Sequence, residues 1–228
     1  MLKLSKFTID VLKNFASINP NLVIKEGSTF STIAEAKNIM ASVTVPENFS
    51  RTFGVYDLNE FIAALSLLDD PAVDLLEDSA ILSNDSTTVK YRFANPSVLT
   101  TPSKEIKMPS TDVTVKLTND LLGKVRKAAG VLGHSVVALK GTRRTYTTSG
   151  SLSLVVLDPK DTSANTYTVA LAEKHTLDKD FSFEFLIDNL KVLSGDYTVA
   201  VSSKLISEWT HADFKVNYFI ALEKTSTI

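Results

Sequence analysis

The basic side chains of this sequence that could bind phosphate groups are concentrated in two segments. The first 19 residues carry three lysines against one acid, and residues 116–134 carry four basic residues against one acid. Each segment contains two lysines spaced so that they lie near one face of a helix. These pairs are Lys6 with Lys13 and Lys124 with Lys127. Long, flexible lysines can neutralise phosphates without reading bases, so both segments are candidate surfaces for holding a nucleic acid by its backbone.

Acidic residues are concentrated elsewhere in the chain. Residues 57–78 contain seven acids and no lysine or arginine, although the net charge of the whole chain is only −2. Segregated charge can give different faces of a protein opposite potentials. Solvated helices with uneven charge produce the same pattern, so charge alone leaves both interpretations open.

Residues typical of active sites and metal centres form no recognisable pattern. His134, His175 and His211 lie far apart, each without a second ligand at metal-binding spacing. The chain has no cysteine, which excludes disulfides, thiolate catalysis and thiolate metal sites. No phosphate-binding loop, nucleophile elbow or dinucleotide fingerprint occurs, and the adjacent acids Asp69 and Asp70 are interpreted as a helix end. We therefore expect no enzymatic activity, no metal and no cofactor.

Apolar residues at helical spacing predict three helices, over residues 5–19, 57–68 and 118–132. A fourth, short helix is predicted over residues 187–193. Alternating apolar and polar residues predict strands through most of the remaining chain, including a hairpin that turns through the basic loop 141–145. The fold class is therefore α+β.

Length and composition are those of a globular protein with two domains. The chain has 228 residues, of which 44% are hydrophobic, which is enough to form sizeable cores. No apolar run approaches the roughly 18 residues of a membrane span. The N-terminus carries charges throughout and does not resemble a signal peptide. We expect an intracellular protein without a membrane partner.

A segment rich in small polar residues and proline divides the chain. Residues 95–112 contain three Pro, three Ser and three Thr, a composition typical of an extended connector. It would separate an N-terminal domain, 1–94, from a C-terminal domain, 113–228.

The two domains repeat one plan. Residues 3–18 align with 116–132, and residues 55–61 align with 185–191 in the same order. A period of more than a hundred residues indicates duplicated domains rather than a solenoid.

Four stretches of the chain closely resemble the DNA sliding clamps of T-even-type bacteriophages, the processivity factors of the phage replicative polymerase. They are LSKFTIDVLKNFASIN (4–19), VYDLNEFIAALSLLDD (55–70), SGDYTVAVSSK (194–204) and NYFIALE (217–223). The resemblance covers the whole chain in order and includes the connector. Residues 25–52 and 140–180 are diverged, and the chain ends differently from the more acidic tail of the family.

The resemblance implies an α+β fold with two similar domains of the DNA-clamp (processivity fold) type, each with two helices packed on antiparallel sheet. It implies a head-to-tail homotrimer that encircles double-stranded DNA without sequence preference. The implied partners are a clamp loader ATPase, the replicative DNA polymerase and the late-transcription machinery. The implied location is the cytoplasm of the infected bacterial host.

DNA-facing residues are then expected on the helices that line the ring. These are Lys6, Lys13, Lys124, Arg126, Lys127 and Lys191. Arg126 lies beside the face that carries its neighbouring lysines rather than on it. The helix over residues 57–68 carries no basic residue and departs from this picture.

The resemblance also implies where subunits meet. The strand at residues 88–93 of one chain is expected to pair with the strand at 167–171 of its neighbour, because unpaired strand edges are natural contact points in a head-to-tail ring. The interface residues would be Val89, Tyr91, Phe93, Tyr167, Val169 and Leu171. The alternative is that both strands lie inside their sheets.

Partner proteins are expected to insert a short apolar peptide into a pocket beside the connector. Its residues would be Ile106, Met108, Tyr218, Ile220 and Leu222. In the alternative interpretation, Ile106 and Met108 only pin the connector to the sheet.

Two other classes of function stay open at this point. The chain could be a β-rich structural or interaction protein of a phage particle without a DNA role, or a hydrolase whose site matches no known motif.

Overall fold

The computed structural model describes residues 2–104, 106–143 and 150–228, which contain three α-helices and sixteen strands. The helices are α1 (Lys6–Ile18), α2 (Leu58–Ser66) and α3 (Asn119–Leu132). The first eight strands are β1 (Leu2–Lys3), β2 (Leu22–Ile24), β3 (Gly27–Ile33), β4 (Ile39–Phe49), β5 (Phe53–Val55), β6 (Ala72–Leu75), β7 (Ser79–Ser83) and β8 (Thr88–Arg92). The others are β9 (Val113–Leu117), β10 (Val136–Thr142), β11 (Gly150–Leu157), β12 (Tyr167–His175), β13 (Phe181–Leu186), β14 (Tyr197–Ser202), β15 (Ile206–His211) and β16 (Val216–Ala221).

The three α-helices begin and end where their capping residues require. Ser5, Asp57 and Thr118 each precede a helix, and their side-chain oxygens accept hydrogen bonds from backbone N–H groups of the first turn. α3 ends at Gly133, whose φ of 70° lies in the left-handed region that favours glycine. The three helices predicted from the sequence are therefore confirmed, with bounds that differ by one or two residues.

The fourth predicted helix is a single turn of 3-10 helix, Ile187–Asn189. Its capping position is occupied by Leu186, whose side chain cannot accept a hydrogen bond from the first turn. A segment this short and without a cap does not recover the cost of helix nucleation. The predicted hairpin is present as β10 and β11, and of its basic loop, residues 141–145, the structure describes residues 141–143 while residues 144 and 145 lie outside the described residues.

The first of two compact units contains the chain up to the connector, together with Lys191–Leu193 and Lys215–Asn217. Its four-stranded sheet is antiparallel with strand order β1-β6-β7-β8. β3 pairs with β4, and α1 packs on both of these strands and on α2. The core between them contains Leu12, Phe15 and Phe30, with the two phenylalanine rings in edge-to-face contact.

The second unit contains residues from Ile106 to Leu190, with Ser194–Phe214 and Tyr218–Ile228. One antiparallel sheet has the strand order β12-β11-β10-β13, and α3 packs on β10 and β11. β9, β14 and β15 are neighbours in a second sheet, where Tyr197 and Trp209 are almost fully buried. Helices packed on antiparallel sheets in two similar units confirm the predicted fold class.

The division between the units falls inside the predicted connector, and both parts of the connector are attached. On one side Leu99 is buried, and Thr100 donates its N–H to Asn21 Oδ1 at 3.1 Å. On the other side Asp112 donates its N–H to the carbonyl of Val201 at 2.9 Å. Each part of the segment therefore packs on its own unit. No helix in the described ranges is long and apolar enough to cross a membrane.

Candidate nucleic-acid interface and subunit edges

α1 presents an exposed basic face because its opposite face forms core. Val11, Leu12 and Phe15 are buried, whereas Lys6 and Lys13 are exposed. The two lysines lie seven residues apart, which is two helical turns, and so they project from the same side of the helix. The sequence prediction that they share a face is therefore confirmed.

A buried carboxylate holds the N-terminal end of α1. Glu47 on β4 accepts hydrogen bonds from the Ser5 N–H and the Thr8 hydroxyl, and its side chain is almost fully buried. Burial has the largest single effect on the pKa of Glu47 and would raise it, but the hydrogen bonds from Thr8 and Ser5 together lower that pKa below its usual value. The ionised carboxylate also suits the positive end of the helix dipole. This contact fixes the end of the helix that carries Lys6.

Lys191 extends the basic face of α1. Its Nζ donates to the carbonyl of Ser17 at 2.6 Å, and Asn14 Nδ2 donates to the carbonyl of Lys191 at 3.0 Å. A lysine at this position suits the negative end of the helix dipole. Lys191 thus lies at the C-terminal end of the helix that carries Lys6 and Lys13.

α3 carries a second group of basic side chains, with different surroundings. Lys124 and Lys127 are exposed, and Lys124 Nζ lies 2.6 Å from Asp120 Oδ2. The hydrogen bond and charge of Asp120 raise the pKa of Lys124 above its usual value. Arg126 instead donates from Nη2 to the carbonyl of Leu190 at 2.6 Å, and burial lowers the pKa of its guanidinium. Arg126 is therefore directed toward its own unit, while the two lysines face solvent.

The two strands expected to join subunits both lie at the ends of their sheets. β8 is the last strand in the order β1-β6-β7-β8, and β12 is the first in the order β12-β11-β10-β13. Within the described residues, each pairs with one neighbour, β8 with β7 and β12 with β11. The alternative that these strands lie inside their sheets is therefore wrong for the single chain.

The side chains on one face of β8 serve the core of the first unit, while the outer edge of the strand stays open. Tyr91 is buried against Phe61 and donates its hydroxyl to the carbonyl of Asp57 at 3.2 Å. Burial, with a contribution from nearby Glu60, raises the pKa of Tyr91 to about 12. Phe93 stacks on a core ring, and Val89 is half-buried. On β12, alternate side chains are also half-buried, and these are Tyr167, Val169 and Leu171.

Comparison with known proteins shows relatives along the full length of the chain. No family model matches, but the sliding clamp of Vibrio phage KVP40 is 31% identical over 226 residues, covering 97% of this chain and 99% of the relative. The sliding clamp of Enterobacteria phage T4 is 28% identical over 99% of both chains. The chain belongs to the sliding-clamp family. Members are non-enzymatic processivity factors of DNA replication, which decides against the hydrolase and the particle protein that the sequence left open.

Solved structures of other clamps share the fold of this clamp. Archaeoglobus fulgidus PCNA bound to the C-terminal region of FEN-1 matches with a TM-score of 0.69 and 13% identity, over 94% of both chains. The Helicobacter pylori beta clamp bound to a DNA ligase peptide matches with a TM-score of 0.71 and 10% identity. That match covers 97% of this clamp and 65% of the bacterial chain.

The residues expected to form a peptide pocket occupy two different environments. Tyr218 and Ile220 are fully buried and Leu222 nearly so, and Tyr218 packs near Tyr197 with ring centroids 6.1 Å apart. The expectation that these three side chains line an open pocket needs correction, because this face of β16 is covered by core. Ile106 and Met108, by contrast, are half-buried and remain within reach of a ligand.

Sequence reasoning missed Glu47, although the sequence contains a signal for it. Val43, Val45 and Phe49 alternate along β4 and are buried, and Glu47 holds the same register. A carboxylate at an inward position implies a partner that stabilises its charge. The partners lie about forty positions earlier in the chain, and only the folded structure identifies them. No group of three potential metal ligands occurs within the described ranges.

Proposed function

We propose that this clamp closes into a head-to-tail homotrimeric ring around duplex DNA and tethers the replicative DNA polymerase of a phage. A clamp loader ATPase would place the ring on DNA, in the cytoplasm of the infected bacterial host. The observation that carries the proposal is the open strand edge at each unit, β8 in the first and β12 in the second. A chain with two different open edges suits a heterologous, closing assembly.

Ring closure would pair β8 of one subunit with β12 of the next. An exposed edge leaves backbone N–H and C=O groups unpaired, and another strand can satisfy them. Val89, Tyr91 and Phe93 would stand opposite Tyr167, Val169 and Leu171. Because Tyr91 is already buried in its own unit, the backbone of β8 would contribute most of the pairing.

The DNA-facing surface would be formed by exposed lysines on the helices. Lys6 and Lys13 support this assignment best, because they share α1 and Glu47 fixes the orientation of that helix, and Lys191 contacts the C-terminal end of the same helix. Flexible lysines contact phosphates without reading bases, which permits sliding. Arg126 would act mainly by holding α3 to its unit through the Leu190 carbonyl.

The polymerase would bind through a short apolar peptide beside the connector. The relatives from Archaeoglobus and Helicobacter were solved with a FEN-1 segment and a ligase peptide, which supports peptide capture as a mode of binding for this clamp. Ile106 and Met108 would contact the peptide, with the buried side chains of β16 supporting the site from below. We extend the same proposal to the late-transcription machinery, on the resemblance to T-even clamps.

Light scattering during size exclusion tests the ring directly. We expect about three chains per particle, because two domains in each of three subunits would complete the ring. A monomer or a dimer at every concentration tested would contradict the proposal. Retention on nicked circular DNA, with release after linearisation, would then show that the DNA passes through the ring.

A further inference from the structure

Residues 223–228, here called the strap, follow β16 and cross the outer edge of β13. The Glu223 N–H donates to the carbonyl of Glu184 at 2.8 Å. Farther along the strap, Ser182 and Thr227 exchange backbone hydrogen bonds of 3.0 and 2.8 Å in an antiparallel bridge. β13 is the last strand in the order β12-β11-β10-β13, so its outer N–H and C=O groups would otherwise lack partners. The strap therefore covers this edge in place of a further strand.

A carboxylate without a cation lies under the strap. Glu184 is 8% exposed, and its Oε2 accepts a hydrogen bond from the Thr225 hydroxyl at 2.5 Å. The Ser182 hydroxyl donates to Oε1 over a longer distance, 3.4 Å. Among the described residues, no basic side chain forms an ion pair with Glu184. Burying a carboxylate with only neutral donors is costly, so a cation that reached Glu184 would be bound favourably.

The first unit contains an equivalent crossing of the chain. The alignment of residues 55–61 with 185–191 pairs Gly54 with Glu184. The Ala94 N–H donates to the carbonyl of Gly54 at 2.9 Å, as the first residue of the strap donates to Glu184. The chain that leaves β8 therefore crosses β5 in the same way as the chain that leaves β16 crosses β13.

Different side chains hold the two crossings in place. Gly54 permits close packing, because a Cβ there would lie 2.7 Å from both the Ala94 carbonyl oxygen and a Leu99 methyl carbon. Leu99, five positions after Ala94, is 8% exposed. Ile228, five positions after Glu223, is 41% exposed. The strap thus lacks the buried apolar anchor of its counterpart, and polar contacts hold it to β13.

We propose that the strap is releasable and that the β13 edge beneath it docks an extended peptide of a partner protein, with a lysine or arginine of that peptide bound to Glu184. The added strand would replace the backbone bonds of the strap, and its cation would replace the Thr225 hydroxyl. The strap competes as part of the same chain, so a peptide displaces it only by adding an interaction that the strap lacks. The ion pair with Glu184 supplies that interaction. The inference goes beyond the proposed ring and polymerase site, neither of which requires it.

Hydrogen exchange in the native clamp tests whether the strap opens. The N–H groups of Glu223 and Ala94 form equivalent hydrogen bonds in the two units and so make a matched pair. After correction for intrinsic rates, we expect Glu223 to exchange at least about tenfold faster than Ala94, because the strap opens locally. A smaller ratio would show that the strap stays closed like its counterpart, and would overturn the proposal.

Peptide binding tests the docking site itself. The probes are two synthetic peptides, EKTSTI, which copies residues 223–228, and EKKSTI, which carries Thr225→Lys. Fluorescence anisotropy with a chain that lacks residues 223–228 should show at least about tenfold tighter binding of EKKSTI, because its added lysine reaches Glu184. The full chain should bind EKKSTI less tightly than the shortened chain does, since the strap occupies the edge.

A matched pair of variants assigns the preference to one carboxylate. Glu184→Gln should abolish the preference for EKKSTI, whereas Glu208→Gln, at a half-buried position of β15, should keep it. Equal affinity for the two peptides, or a preference that survives Glu184→Gln, would overturn the docking site. A shortened chain that unfolds would show that the strap is structural, and would also overturn the proposal. Each of these failures leaves the ring intact, since light scattering tests the ring separately.

Discussion

At the scale of single residues, Glu47 links the core of the first unit to its basic helix. A buried carboxylate that accepts from both Ser5 and Thr8 stabilises the first turn of α1 and restricts its tilt. Lys6 begins that same turn, so the direction of its side chain depends on an acid on a distant strand. The position of the positive charge of Lys6 on the surface thus depends on the negative charge of Glu47 in the interior.

Glu47→Gln should lower the free energy of unfolding by about 1–2 kcal/mol at neutral pH, because a charge-assisted hydrogen bond is lost. The lowered pKa of Glu47 means that its stabilising effect is present above the ordinary carboxyl pKa of 4.5 and disappears as the pH falls through the lowered value. The difference between variant and wild type should therefore shrink in acid. Urea unfolding at pH 7 and below pH 4 measures this difference in unfolding free energy. Glu35→Gln, at an exposed position, is the control. An equal loss of unfolding free energy in both variants would argue against a stabilising contact between Glu47 and the first turn of α1.

Lys6→Glu with Lys13→Glu should leave the fold and the trimer intact while weakening binding to duplex DNA. For every phosphate that the variant no longer neutralises, the slope of log affinity against log salt should fall by about one unit. Equilibrium binding to duplex DNA over a salt series measures this slope. Lys25→Glu with Lys204→Glu carries the same charge change elsewhere and should keep the wild-type slope. A double variant on α1 that behaves like this control would remove α1 from the DNA surface.

At the scale of elements, capping made the α-helices predictable. A capping side chain hydrogen-bonds to the backbone of the next few residues, so the start of a helix can be predicted from the local sequence. This is why the starts of the three helices were located at Ser5, Asp57 and Thr118. The seven residues after Leu186 have apolar periodicity but no cap, and they form only one 3-10 turn. Alternation along β16 correctly grouped Tyr218 with Ile220 on one face. It could not show that this face is covered, because the cover comes from residues distant in sequence.

Proline substitutions in β12 test whether its edge closes the ring. Alternate residues point their N–H groups to opposite sides, so only one of Val169→Pro and Ala170→Pro removes a donor from the outer edge. We expect that variant to fold normally and to shift from trimer to monomer. The other should lose thermal stability by breaking a bond to β11. Circular dichroism and light scattering together assign the two effects. If both variants fold and remain trimeric, β12 does not join subunits.

Ile106→Glu with Met108→Glu tests the second part of the connector. If these side chains bind the partner peptide, the variant should remain a trimer and lose about tenfold or more in affinity for a C-terminal polymerase peptide, because each buried apolar side chain contributes about 1.5–3 kcal/mol. Calorimetry with the peptide measures the loss, and the exposed Lys107→Glu is the control. Normal peptide binding would exclude this location. A large drop in melting temperature would instead show that Ile106 and Met108 pin the connector.

At the scale of the whole molecule, duplication explains which features could be anticipated. Aligning residues 3–18 with 116–132 predicted two similar units, and the relatives from phages KVP40 and T4 confirm the family along the full length. The differences in exposure between the two units could not be predicted from the repeat. Asn14 and Ile18 on α1 are respectively hydrogen-bonded and buried, whereas the residues that align with them on α3, Lys127 and Val131, are exposed. The residues that differ between the repeats are thus the most informative about assembly.

The two unlike open edges, β8 and β12, have a consequence for mixtures of chains. A subunit with a damaged β12 keeps a sound β8, so it still enters an assembly from one side and blocks its completion. In the proposed ring of three, the share of rings built only from intact chains would fall as the cube of the fraction of intact chains. A defective copy expressed beside the wild type would therefore reduce the number of functional rings by more than its own share of the chains. A variant of this kind would act as a dominant inhibitor in the same infected cell.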